Sequence, residues 1–331
     1  MANLRLSEED VATERKVILE ERRTRVDNDP GSILQEQMMA ALYSNHPYGI
    51  PIIGWEHEIR SLERTDAISF YRRFYAPNNA ILVIAGDVEP EEVKRLAERT
   101  YGKIAPSDLI NGRVRPSEPK HSTPVRVTLK DPRVGRTTVQ RFYLAPSYPA
   151  ARPGEAEALD LLMRVAAAGS VSHMYKRLVI EDRIAANAGG WYSDSGLDSG
   201  RLGFYAIASE NVSADDLDKA IDGVVAALRS DGVTQEELDR ARASYIAEFV
   251  YASDSQSRMA RHYGWRLASG MSLADVEEWP DRLRQVTLQD LQDVARKYLL
   301  EENSVTGYLL PAPEHTSSIT AKPAHAPKGK T

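Results

Sequence analysis

Two stretches of this chain occur twice in the same order, which confines it to a pair of related folding units. Leu6-Ser7-Glu8-Glu9-Asp10-Val11 resembles Val233-Thr234-Gln235-Glu236-Glu237-Leu238, and each leads into a long helical stretch. Further on, Thr65 to Tyr75, followed by Asn79 and an apolar run, resembles Thr287 to Tyr298, followed by Asn303 and a second apolar run. The two offsets differ by only a few residues. Chance similarity between amphipathic helices explains one match more easily than two in the same order. The expected architecture is α+β, with two related domains, each a mainly antiparallel sheet packed with helices on one side. The first copy lacks its beginning, so the first domain is expected to be incomplete. The second carries an extra stretch, about 125–202, with no counterpart in the first.

Local signals place the elements. Ser7-Glu8-Glu9-Asp10 is a capping box that should start a helix running to about Arg25, ended by Asp27-Asn28-Asp29-Pro30-Gly31. Helices are expected over 32–42, 65–75 and 91–101, and residues 80–85 (Ala-Ile-Leu-Val-Ile-Ala) read as a buried strand. Several prolines among polar residues then mark a linker. The division expected is 1–115 for the remainder of an N-terminal domain, 116–124 for the linker, 125–310 for a C-terminal domain, and 311–331 for a flexible tail rich in Pro, Ala, Ser and Lys. Within 125–310, strands are expected near 125–129, 137–144 and 201–208, and helices near 154–168, 173–181, 212–229, 234–252 and 287–298. Ala188-Gly189-Gly190 reads as a turn, and Asp194 to Asp198 as a strand connection.

Composition narrows the function. At 331 residues, 42% hydrophobic and 27% charged, the chain suits two ordinary globular domains. No run approaches the roughly 20 apolar residues of a membrane-spanning helix. The net charge of -6, with Lys and Arg scattered, gives no reason to expect nucleic acid. Cysteine is absent, which excludes disulfides, thiolate zinc sites and cysteine nucleophiles but leaves the compartment open. The N-terminus has no basic region followed by an apolar stretch, so no signal peptide is read there.

The residues with chemical interest lie on the first helix. Val11, Glu14, Ile18 and Glu21 recur at spacings of three, four and three and share one face. Carboxylates on an apolar stripe are unusual, because a buried charge is costly unless paired or bound to metal. The matching positions in the second copy are Leu238, Ala241, Tyr245 and Glu248, one acid fewer. A solvated, salt-bridged helix is the competing reading, since Glu20-Glu21-Arg22-Arg23 is charged all round and Glu14 adjoins Arg15 and Lys16.

Three segments resemble a known family. Glu14-Arg15-Lys16-Val17-Ile18-Leu19-Glu20-Glu21 is similar to the E-R-x-V-I/V-x-x-E segment of the pitrilysin/insulinase-type zinc metallopeptidases, the inverted zincins. His46-Pro47-Tyr48-Gly49-Ile50-Pro51-Ile52-Ile53-Gly54 resembles their H-P-Y-G-x-P-x-x-G stretch. Phe74-Tyr75-Ala76-Pro77-Asn78-Asn79-Ala80 with Gly86-Asp87-Val88 resembles their Y-x-P-x-N-x…G-D-x segment. Order and spacing agree.

The resemblance implies a zinc metalloendopeptidase acting on peptides. Zinc would be held by two histidines of H-x-x-E-H and by a glutamate about 75 residues further on, with the motif's Glu as general base. By motif position Glu21 is the downstream metal ligand and Glu14 a supporting acid beside it. The chain departs from the pattern here. Its histidines are His46, His57, His121, His173, His262, His315 and His325, and none forms H-x-x-E-H. The general base and both His ligands are therefore expected upstream of Met1, in an N-terminally truncated form that is inactive alone. The resemblance also carries an Arg and, seven residues later, a Tyr that hold substrate; following Ser172-His173-Met174-Tyr175-Lys176-Arg177-Leu178, those positions hold Val179 and Ala186. This implies a homologous partner subunit bearing the Arg/Tyr pair, or a homodimer. Zinc belongs to the intact parent, which the resemblance would allow to be exported to the bacterial cell envelope. The alternative is a non-catalytic structural or partner subunit of a heterodimeric peptidase.

Overall fold

The computed structural model describes residues 3–110 and 114–312. Its first half is helical: α1 (Glu8–Arg22), α2 (Pro30–Leu42), α3 (Glu56–Ser61), α4 (Arg64–Phe74) and α5 (Pro90–Thr100). The capping box forms as the sequence indicates. The Asp10 amide donates to Ser7 Oγ at 3.1 Å and the Ser7 amide to an Asp10 carboxylate oxygen at 2.8 Å. Beyond Arg22 the helix loosens into a π-turn at Arg23–Asp27, and Asp29 then caps α2, with Pro30 at its first position.

The second half is built on one five-stranded sheet: β1 (Val125–Asp131), β2 (Thr138–Pro146), β3 (Ala185–Ser193), β4 (Ser199–Ala208) and β5 (Ser304–Pro311). The spatial order is β1-β5-β2-β4-β3; β1 runs parallel to β5, and every other pairing is antiparallel. Between β2 and β3 lie α6 (Glu155–Ala167) and a short α7 (His173–Tyr175), continued as a π-turn to Glu181. Between β4 and β5 lie α8 (Ala214–Ser230), α9 (Gln235–Ser253), α10 (Gln256–Ala268), α11 (Leu273–Glu277), α12 (Trp279–Gln285) and α13 (Leu288–Tyr298). Thr234 with Glu237 and Thr287 with Asp290 form capping boxes, so each repeated segment of the second copy starts a helix by the device used at Ser7.

Strand alternation sorts the core into two layers. Val139, Tyr143 and Ala145 of β2, with Leu202, Phe204 and Ala206 of β4, face α6, α8 and α13. Phe142 of β2 and Val305 and Leu309 of β5 face the other way and meet Leu34, Met38 and Leu42 of α2. A helix of the first half thus seats on the sheet of the second. Gly307 makes the approach possible: a Cβ there would lie 2.2 Å from the Met38 sulfur.

Two expectations change. Residues 80–85 are extended but pair with no described strand, and Ile81, Leu82 and Ile84 are about half exposed. An apolar run becomes a strand only where a neighbouring backbone takes up its amides and carbonyls, and every described strand lies within 125–311. Ala188-Gly189-Gly190 is not a turn but the middle of β3. Its glycines serve close packing, since a Cβ on Gly190 would fall 2.3 Å from the Gly203 carbonyl oxygen and 2.8 Å from Ala167 Cβ. The expected tail at 311–331 lies outside the described residues from 313 onward.

Candidate functional site

Glu21 is exposed on the last turn of α1 and pairs with Arg25, Oε1 to Nη2 at 3.1 Å. The spacing of four is that of a helix-surface ion pair. Glu248, at the matching position of the second copy, also holds an arginine, Arg164, whose guanidinium lies 4.7 Å from the Tyr245 ring centre. Glu14 is exposed too. It stands with Val11 and Ile18 on the wall of an apolar groove of about 850 Å³ between α1 and α4, opposite Ala67, Phe70 and Tyr71.

Among the described residues there is no group of three His, Cys, Asp or Glu side chains that could hold a metal ion. His46, His121 and His173 are engaged elsewhere. His46 accepts from the Tyr48 amide at 3.2 Å and meets Asp198 at 3.2 Å through its other nitrogen. His121 meets the Leu42 carbonyl at 2.9 Å. His173 meets Glu237 at 2.8 Å, an acid 64 residues away that sequence spacing does not reveal. Burial holds the His262 imidazole below its ordinary pKa.

The H-P-Y-G stretch is a brace. Glu118 accepts from the backbone amides of Ser44, Asn45 and His46 at 2.9, 3.0 and 2.8 Å. Tyr48 Oη accepts from the Leu197 amide at 3.0 Å, tying the loop to the β3–β4 connection. That connection, α2, residues 47–53 and the C-terminal end of α10 enclose a second groove, of about 750 Å³. Val179, in the π-turn after α7, is half-buried, and Ala186 is exposed on β3.

A strongly perturbed acid lies deeper and was not singled out in the sequence. Asp160 sits in α6, amid Leu159, Leu161 and Leu162, and accepts from Tyr148 Oη. Tyr148 Oη in turn accepts from Trp279 Nε1 at 2.6 Å, and its ring lies 4.9 Å below the Arg266 guanidinium, which pairs with Asp194 at 2.7 Å. Burial, then the Asp194 charge, pushes the Asp160 carboxyl up to about 7, against the opposing Tyr148 hydrogen bond and Arg266. A lone acid inside an apolar helical run was the available signal.

Comparison with known proteins fits this geometry. Residues 61–245 match the family model described as the Peptidase M16 inactive domain. The zinc protease PqqE of Helicobacter pylori is 29% identical over 94% of this chain and 69% of its own length. An uncharacterized zinc protease of Mycobacterium bovis is 31% identical over 90% of this chain and 66% of its own length. The chain thus spans about two thirds of the length of these relatives. Among solved structures, a protease from Helicobacter pylori superposes with a TM-score of 0.87 at 27% identity, covering 94% of this chain and 74% of that one. The M16 inactive domain from Pseudomonas fluorescens, at 16% identity, has a TM-score of 0.78 over 93% of this chain and 72% of that one, and shows the shared fold. With its three motif segments, its mixed helical and antiparallel architecture and these matches, the chain belongs to the M16 peptidases, the pitrilysin/insulinase-type family.

Proposed function

We propose that this chain is part of an M16 zinc metalloendopeptidase, contributing Glu21 as one metal ligand, and that by itself it does not hydrolyse peptide bonds. The observation that carries the reading is the state of Glu21: an exposed carboxylate paired with Arg25, with no described histidine or second acid grouped with it for metal. Zinc needs three protein ligands to become a hydrolytic centre. The sequence holds no H-x-x-E-H, so the remaining ligands and the general base have to come from outside it. Glu14, one helical turn from Ile18 on the same face, would then support the site without touching metal. The peptide would be held by the domain at 125–310 across the 116–124 linker.

Zinc content by atomic absorption and cleavage of an internally quenched peptide test this directly. The expected outcome is less than one tightly bound zinc per chain and no chelator-sensitive cleavage. Chelator-sensitive cleavage that Glu21→Gln abolishes would show that a complete site forms within the chain.

The second reading, a non-catalytic partner subunit, is favoured by one observation. The sheet of the second half has a complete double-layered core although the first half has no described strand. Val179 and Ala186 at the Arg/Tyr positions support a division of labour with a homologous subunit carrying that pair. Co-purification with such a subunit, followed by a gain of cleavage on mixing, distinguishes this role from the first.

A further inference from the structure

We infer that Arg266 is a proton-operated latch on the β3–β4 connection, with Asp160 as the group that carries the proton. While Asp160 is protonated, Arg266 ties α10 to the connection at Asp194. When Asp160 ionises, Arg266 turns to it and the connection is released. The inference rests on how charge is shared around α6. Asp160 is buried on that helix, and it accepts a hydrogen bond from a phenol, Tyr148 Oη. The arginines around the helix are committed to other acids. Arg282 of α12 holds Glu157 at 2.7 Å, Arg164 of α6 holds Glu248 of α9, and Arg266 holds Asp194 at 2.7 Å. Glu155, at the start of α6, is taken by Lys297 and Tyr298 of α13. Tyr192 on β3, Tyr245 on α9 and His262 on α10 are the other titratable groups facing this junction. Among the described residues, Asp160 is the one of these acids without a cation of its own. A buried carboxylate in that position is costly, so it keeps its proton.

Arg266 is the cation placed to answer Asp160. Its guanidinium lies 4.9 Å from the centre of the Tyr148 ring, and the hydroxyl of that ring donates to Asp160. Asp194 and Asp160 both act on this one charge. In a site closed to water a single guanidinium cannot neutralise two acids, so what Asp160 gains on ionising Asp194 loses. Burial and then the Asp194 charge push the Asp160 carboxyl up to about 7, which puts the exchange at neutral pH. Its effect falls on the connection. The Tyr148 amide donates to the Asp194 carbonyl at 3.0 Å and the Ser147 amide to the Asp198 carbonyl at 3.2 Å. The Leu197 amide donates to Tyr48 Oη at 3.0 Å, and Asp198 meets His46 and Arg115. With Arg266 drawn away, these contacts hold the segment without its tie to α10. The connection forms part of the wall of the groove beside α2, so that wall is firm in acid and slack in base. The device concerns motion within the chain and needs neither zinc nor cleavage.

The test is amide hydrogen exchange of the full chain at pH 6 and pH 8, with labelling times scaled to the intrinsic exchange rate. The probes are the amides of Ser147, Tyr148 and Leu197, each hydrogen-bonded to or from the connection. Their protection in the native chain should fall about tenfold between the two conditions, because the ionised fraction of a group titrating near 7 rises by about that factor. Amides in the β2–β4 ladder should keep their protection. Asp160→Asn should show the acid level of protection at both pH values. Asp194→Asn, which removes the acid that the latch engages, should show the low level at both. His262→Gln, which removes the other titrating group of α10 near this range, should respond as the native chain does. Infrared spectroscopy should show the carbonyl band of a protonated carboxyl at pH 6, weakened at pH 8 and missing from Asp160→Asn. Should Asp160→Asn lose its far-ultraviolet circular dichroism, Asp194→Asn and the native infrared titration decide. Equal protection of the native chain at both pH values, a response that survives Asp160→Asn, full protection of Asp194→Asn at pH 6, or a response lost in His262→Gln would overturn the assignment.

Discussion

Replacing Asp160 by Asn tests whether α6 carries a protonated acid at neutral pH. The carboxyl ordinarily titrates at 3.8, and in the folded chain it is pushed up to about 7 by burial and by the Asp194 charge. The groups facing it are Glu157 on its own helix, Tyr148, Asp194, Tyr192 on β3, Tyr245 on α9 and Arg266 on α10. At ~1.36 kcal/mol per pH unit, that difference corresponds to about 4 kcal/mol. The sign follows from proton linkage. Between about pH 4 and pH 7 the unfolded chain has released this proton and the folded chain still holds it. The stabilisation is therefore full below about pH 4, declines as pH rises, and is gone above about 7. Asn keeps an oxygen to accept from Tyr148 and cannot ionise. Urea unfolding of both proteins from pH 4.5 to 8 should give curves that nearly coincide at the acid end, with the variant gaining up to about 4 kcal/mol over the native chain by pH 8. Burial holds His262 below its ordinary pKa, so it contributes a slope of opposite sign near pH 6, but that slope is common to both proteins and cancels in the difference. Parallel curves across the whole range would refute the assignment.

Arg141, buried in β2, pairs with Asp218 and Asp222 of α8, and Asp218 also accepts from Tyr308 at 2.6 Å. Arg141→Met alone should cost ~3–5 kcal/mol, and adding Asp218→Leu should recover most of it; additive losses in denaturant melts would contradict the pairing. Gly307→Ala places a Cβ 2.2 Å from the Met38 sulfur and should cost ~1–3 kcal/mol. Met38→Ala should be less damaging in that background than its usual ~2–5 kcal/mol, and equal cost in both backgrounds would remove the contact from the account. Glu21→Gln should change stability by less than about 0.5 kcal/mol, because its pair with Arg25 is exposed; a larger fall in unfolding midpoint would give Glu21 a structural role.

Helix starts were the most legible part of the fold. Ser7, Thr234 and Thr287 each carry an acid three residues on, and in each case the reciprocal cap forms. Such signals are local, so a sequence reading reaches them. The sheet order is set by contacts across hundreds of residues, and the position of β5 between β1 and β2 left no local trace. Residues 80–85 show the limit of the same reasoning: their composition suits a strand, but strand formation depends on a partner elsewhere. Glu14 and Glu21 were found by spacing and motif, whereas His173 with Glu237 and Asp160 with Tyr148 are tertiary pairings.

The place of β5 bears on how the chain acquires this fold. Among the described residues β1 touches the sheet only through β5, and α2 rests chiefly on β5 and β1. Synthesis proceeds from the N-terminus, so β1 to β4 and α2 emerge long before residues 304–311. Until that strand inserts, β1 lacks its pairing partner among the described strands, and Leu34, Met38 and Leu42 lack the part of their seat that Val305 and Leu309 supply. The step joining them closes a loop of more than 170 residues between β1 and β5, which makes it slow on topological grounds. The described core is therefore expected to complete only once residues 304–311 have emerged, with a late, cooperative zippering in which β5 joins β1, β2 and α2 at once. A chaperone that shields unpaired strand edges would act in that interval.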